Sequence, residues 1–404
     1  MEKPGKDKEL QVNTVALTFT GDIGFDKYMD KKWEDENLID ADVLGFLKNS
    51  DHLIINVEGP LLEQTTKTDS KGVASLVHSM DPAATAFFDK IGADVWNICN
   101  NHIMDAGPDG MAGTLEQAAL HKVQTLGAGM NIDEAARPVI FPEAGGIGLI
   151  GVGYQRACRK ATEDTPGCLS WSDMDIIQAK IDEVKSKCKW CVIVAHGGEE
   201  FTALPSPYVR DRYIEYLNMG ADVVVSHHPH VPMNYETFNW DDAENRKIIF
   251  YSLGNFVFDT DYQRAQFNTE KGIVIKLKFT ATEFDYEAKG IRIDRDEDHI
   301  VSGDLPKIFA DVQEKEYRLL APLAAKMFID NTKRQWTFLK PDVFKNATEE
   351  DWYNNFYEPL RSGRVPGEVL DFQLVYPLAK EEAKKEWMKS KLEDVKQFML
   401  EQLL

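Results

Sequence analysis

The sequence lacks any run approaching the roughly 18 consecutive apolar residues of a membrane span, and its opening MEKPGKDKEL has no apolar stretch of the kind a signal peptide carries. As it stands the chain is therefore expected to be soluble and cytoplasmic, and extracytoplasmic only where a signal or anchor has been trimmed away. Cysteine is scarce, 5 in 404 residues, odd in number and without regular spacing. That argues against a disulfide framework and for a reducing compartment. Cys188 and Cys191 form one CxxC, but a single pair is a weak zinc signal and reads more simply as a helix end followed by a strand start. Positive charge is short too: 46 Lys and Arg stand against 67 Asp and Glu, for a net charge of −21. Such a surface repels nucleic acid and anionic lipid, so a small or polymeric anionic substrate needs local positive charge, which a metal centre supplies. There is no glycine-rich phosphate loop, no GxSxG nucleophile elbow, no internal repeat and no low-complexity linker.

What the chain does have is a regular alternation of short apolar, β-rich runs with helical stretches. Strands are expected at 15–20, 53–57, 94–99, 147–152, 190–195, 223–225 and 248–251. Helices are expected from Asp81 to Ile91 with Gly92 as the stop, from Asp109 to Lys122, from Ser172 to Lys187, and from Pro207 to Met219 before Gly220. Strand then helix with short connections implies a mostly parallel sheet covered by helices, an α/β fold. GIVIKLKF at 272–279 and GIRID at 290–294 add antiparallel strands on one side. A chain of this length exceeds what one core usually organises, so one large domain with an appendage, or two domains, is expected. From about Leu305 the sequence turns helical and charged. Its last stretch carries an apolar stripe, Met388, Leu392, Val395, Phe398 and Leu403, expected to pack on the main domain, with a partner-binding helix as the alternative.

The polar residues gather at the strand ends, where open α/β sheets bind ligands. These are Asp22, Glu58, Asn101 with His102, His196, and His228 with His230. Three of the chain's 9 His fall within HHPH, and on an extended strand His228 and His230 would point to the same side, as two ligands of one metal must. Carboxylates, an amide oxygen and neutral imidazoles are the donors that borderline divalent metals accept, and a carboxylate can bridge two ions. Two ions about 3.5 to 4 Å apart provide what in-line hydrolysis of a phosphate ester requires. A His directly after an Asn ligand would be close enough to protonate the leaving group.

The segments TGDIGFD, NVEGPL, NICNNHIMDAG with Thr114, GAGMN, HGGEEF followed by PSPY, GADVVVSHHPHV and IIFYSLGNFVFD occur in that order. Through them the sequence resembles the CapA family of poly-γ-glutamate capsule-synthesis proteins, a branch of the calcineurin-like metallophosphatase superfamily, over residues 15 to 280. The resemblance implies a metallophosphatase-like four-layer α-β-β-α sandwich over residues 13–300, with a mostly helical C-terminal extension over 301–404 packed on it. It also implies two divalent transition-metal ions, Mn, Fe or Zn. Asp22, Glu58, Asn101, His196, His228 and His230 match the ligands, with Glu58 as the bridging carboxylate in place of the usual Asp. His102, Asn101 and Asp22 match catalytic positions, His102 as acid or transition-state donor. His227 is extra; with Asn56, Asp105, Glu200, Asn255 and Asp259 it is expected to bind substrate or orient ligands. Gly24 stands where many phosphoesterases have a His, and Asp26 and Lys27 where family members commonly carry Arg. The implied activity is hydrolysis of a phosphomonoester or phosphodiester. The alternative is a nonhydrolytic polyglutamate or capsule-assembly protein with a structural or polymer-binding metal, working with other capsule-synthesis proteins.

Overall fold

Stretches such as Trp190–His196 and Val223–His227 are buried along their whole length, and a strand with no polar face to offer water must be covered on both sides. The computed structural model, which describes residues 14–62, 77–154 and 158–320 and a few positions between 337 and 351, achieves this with two stacked sheets. The 8-stranded sheet runs His299–Gly303, Phe284–Asp294, Lys271–Phe279, Val15–Gly24, His52–Val57, Val95–Asn97, Gln124–Leu126, and Asn255–Phe258 pairs with the far end of Val15–Gly24. The last four strands of the row are mutually parallel, and the first three form the expected antiparallel flank. The 6-stranded sheet runs Tyr235–Phe238, Lys247–Phe250, Val223–His227, Trp190–His196, Ile147–Gly153, Val139–Phe141, parallel in its middle and antiparallel at both edges.

Side-chain alternation assigns the layers. Phe19, Ile54, Val95, Leu149, Val192, Val194 and Ile275 meet in one core between the sheets. Their neighbours Ile55, Trp96, Ile150 and Ile193 face the other way, into a core shared with Phe88, Met111, Ile177 and Tyr213. Those four belong to the helices Thr85–Ile91, Gly107–His121, Met174–Lys185 and Pro207–Met219. The fold is thus an α-β-β-α sandwich. The residues read alone suggest one mostly parallel sheet, whereas the structure stacks two large mixed ones, because a both-sides-buried strand looks the same whether helix or sheet covers it. Each fully buried Val, Leu, Ile or Phe contributes about 1.5–3 kcal/mol.

Helix ends follow the sequence cues closely. Gly92 closes its helix in the left-handed region at φ 84, and Gly220 follows Met219. The third strand is shorter than expected, Val95–Asn97, because the chain leaves the sheet there to form the turn carrying Asn100, Asn101 and His102. Arg210 makes a bidentate pair with Glu236, at 2.9 and 2.6 Å, and Tyr251 Oη donates to the same carboxylate at 2.8 Å. Removing one partner of so buried a pair costs about 3–5 kcal/mol. Residues 308–320 pack back on the sandwich: Val312 N donates to Tyr235 O and Tyr317 Oη to Pro205 O. The apolar stripe at 388–403 lies outside the described residues. Among the described residues no helix is long and apolar enough to cross a membrane.

Candidate metal centre

The parallel strands of both sheets bring their carboxyl ends to one place. Val15–Gly24 carries Asp22 near its end, and Gly21 just before it is held against the Gly254 carbonyl so closely that a Cβ would collide with it. Asp22 N donates to that same carbonyl oxygen at 2.9 Å, which fixes the backbone of the carboxylate. His52–Val57 delivers Asn56 and, one residue past its end, Glu58, whose N–H donates to Ile23 O at 2.8 Å. From the other sheet come His196, the last residue of its strand, and the His228–His230 turn. His228 and His230 do not lie on an extended strand as the spacing suggests. The strand stops at His227, and both residues take positive φ, 98° and 58°. Non-glycine residues adopt this region rarely and at a cost, so the turn itself, not strand alternation, aims the two rings.

Two donor clusters result, one of Asp22, Glu58 and His196 and the other of Glu58, His228 and His230, the donor atoms of each lying within 4.8 Å of one another. Glu58 belongs to both. Its Oε1 is 3.7 Å from His196 Nε2 and 3.6 Å from His230 Nε2. Asn101 Oδ1 sits 2.8 Å from His196 Nε2, so this amide joins the first cluster. All six expected ligands therefore converge.

Several other expected residues hold those ligands in place. Asn56 Nδ2 donates to Asp22 Oδ1 at 2.8 Å while its own oxygen accepts from Asn97, a residue with no sequence cue beyond its place at a strand end. Asn255 Oδ1 lies 2.9 Å from His230 Nδ1, which leaves Nε2 directed toward Glu58. His227 turns inward, its Nε2 2.9 Å from Thr20 O, and so ties the two sheets together rather than joining the donors. Glu200 accepts from Tyr262 Oη at 2.9 Å. Asp259 is engaged by Arg264 at 2.7 Å and Arg295 at 3.0 Å, an ion-pair cluster of its own.

Beside the donors lies a pair of carboxylate-backed imidazoles. His102 Nδ1 is 2.6 Å from Asp105 Oδ2, and His78 Nδ1 is 2.9 Å from Asp26 Oδ2, with the two rings edge to face at 4.3 Å. Phe258 stacks on His230 at 4.9 Å and touches His78 at 5.1 Å. Its ring fills the space that any side chain at Gly24 would occupy. Beside Gly24 the centre is therefore closed by an aromatic wall. His78 escapes sequence reading because GVASLVHSM shows neither periodicity nor a strand end.

The electrostatics fit a cation. Burial alone would push the His230 imidazole down, but Glu58 and Asp22 beside it outweigh this and hold it up at about 10. Burial would raise the Asp22 carboxyl, and the hydrogen bond and charge of His230, with His227 and His228 near, bring it below the usual carboxylate range instead. A field that retains a proton so strongly also favours a divalent ion, which competes with protons for the same donors. Two buried carboxylates, an amide oxygen and three imidazoles form a donor set suited to borderline transition metals.

The model of a family described as bacterial capsule synthesis protein PGA_cap matches residues 16–260. Over 267 residues the chain is 29% identical to the PGA biosynthesis protein CapA of Bacillus subtilis, covering 65% of this chain and 68% of that protein. Over 268 residues it is 28% identical to the capsule biosynthesis protein CapA of Bacillus anthracis, covering 64% and 63%. A probable polyglutamine synthesis accessory protein of Mycobacterium tuberculosis is 24% identical over 235 residues, 54% of this chain and 59% of that one. The match to the Bacillus anthracis and Mycobacterium tuberculosis proteins thus spans less than two thirds of their length.

Proposed function

The chain belongs to the bacterial capsule synthesis protein PGA_cap family, and from that premise we propose that it is a dinuclear metal-dependent phosphoesterase acting on a phosphomonoester or phosphodiester. The observation that carries this reading is Glu58, buried and common to both donor clusters. Asp22, Asn101 and His196 would hold one ion with Glu58, and His228 and His230 the other. Bound there, ions such as Mn, Fe or Zn would activate water and polarise a phosphoryl oxygen. His102, its ring oriented by Asp105, would give a proton to the leaving oxygen. Asn56 and Asn255 would keep Asp22 and His230 in their binding orientations. An anionic substrate would otherwise meet a strongly acidic molecule, net charge −21, so the ions would also supply its attraction.

A second reading draws on the biosynthetic names of the relatives: a nonhydrolytic polyglutamate or capsule-assembly protein whose metal is structural or holds polymer. One screen separates the two. Protein loaded with Mn or Zn should hydrolyse bis-p-nitrophenyl phosphate or members of a monoester panel, lose activity to a chelator and regain it with metal. Inertness of both metal forms across mono- and diesters, together with measurable polyglutamate binding, would favour the assembly reading.

A further inference from the structure

We infer that His78 is a positioning residue for the His102 imidazole, itself backed by Asp26. Only the kinetic consequence of this rests on the phosphoesterase reading. Three of the contacts of His78 join it to His102, Asp105 and Asp26. Its backbone N–H donates to Asp105 Oδ2 at 2.9 Å, the same oxygen that lies 2.6 Å from His102 Nδ1. Its ring meets the His102 ring edge to face, at 4.3 Å and 80°. Its Nδ1 is 2.9 Å from Asp26 Oδ2. One residue therefore fixes both the carboxylate that sets the His102 ring and one side of the ring itself.

The placement of His78 is equally determined. Met80 N donates to Pro60 O at 2.9 Å and Leu62 N to Met80 O at 3.1 Å, pinning this segment to the turn that follows Glu58. On its other side Phe258 separates His78 from His230. His78, His102, Asp105 and Asp26 are all buried, so little water is at hand to take over a lost contact. An imidazole needed only to satisfy Asp26 would have no reason to abut a second carboxylate-backed imidazole. The arrangement instead makes a chain, Asp26 to His78 to His102 and Asp105, that restricts the directions in which His102 can present its remaining nitrogen. It also gives a use to Asp26, whose carboxylate orients the His78 ring.

The test uses zinc-loaded full-length protein and side-chain ¹H–¹⁵N correlation spectra of the histidines, with the His102 signals identified by their loss in His102→Gln. His78→Ala should shift or broaden the His102 signals at unchanged metal content. For esters with poor leaving groups, kcat should fall by roughly 10- to 100-fold with little change in KM, as expected for misplacement of a reacting group. Asp26→Asn, close in shape, should move the same signals in a smaller degree, and decides the matter if His78→Ala does not fold. A merely structural role would lower the unfolding temperature and leave the His102 signals unmoved in Asp26→Asn, which keeps the His78 ring beside His102. Unshifted His102 signals in the folded variants overturn the inference. Shifted signals in a protein that hydrolyses no ester uphold it while removing the phosphoesterase reading.

Discussion

Glu58→Ala should bind no transition metal and hydrolyse esters no faster than the metal-stripped protein. The effect is expected to be this large because Glu58 Oε1 stands between His196 Nε2 at 3.7 Å and His230 Nε2 at 3.6 Å, so one substitution removes a donor from both clusters. His196→Ala and His228→Ala each remove a donor from one cluster only. They should retain about one ion per chain, since a bridged pair has two half-sites, and still lose turnover. Elemental analysis after metal loading, alongside circular dichroism to confirm the fold, checks all three. Equal metal content in Glu58→Ala and His228→Ala would mean that Glu58 is not shared.

His102→Ala should behave in the opposite way, keeping its metal and losing turnover by roughly 10²- to 10⁴-fold, the usual span for a general acid. Among the described residues no donor cluster includes His102; its Nδ1 is committed to Asp105 at 2.6 Å, and its backbone N–H donates to Asn100 Oδ1 at 3.0 Å. The loss should shrink for substrates with good leaving groups, which depart without protonation. Rates and metal content measured over a leaving-group series check this. A His102→Ala protein that loses metal as fully as Glu58→Ala, or that cleaves poor leaving groups at the parent rate, would take the acid role away from His102.

How much of this was legible in the sequence depends on what kind of signal each residue leaves. Asp22, Glu58 and His196 stand at or just beyond the ends of apolar β-rich runs, and a strand end is visible in a sequence. His228 and His230 were visible as a cluster, but the means of aiming them was not, because positive φ at a non-glycine residue leaves no trace in composition. The division into two sheets follows from the family resemblance and not from the residue pattern, for a related reason: Val192 and Ile193 are equally apolar, though one meets the other sheet and the other a helix layer. Asn255–Phe258 is too short to announce itself as a strand, yet it pairs with the end that carries Asp22 and supplies both Asn255 and Phe258 to the centre. His78 and Asn97 reach the site through contacts distant in sequence, to Asp26 and Asn56. Asp259 shows the converse: it lies within a family-like motif, but two arginines hold it in a separate ion-pair cluster.

The central claim is a pair of metal ions sharing Glu58, and anomalous diffraction from Mn-loaded crystals tests it most directly. The account predicts two anomalous peaks roughly 3.5 to 4 Å apart, one beside Asp22, Asn101 and His196, the other beside His228 and His230, with the Glu58 carboxylate between them. A single peak at full loading, or peaks away from Glu58, would contradict it.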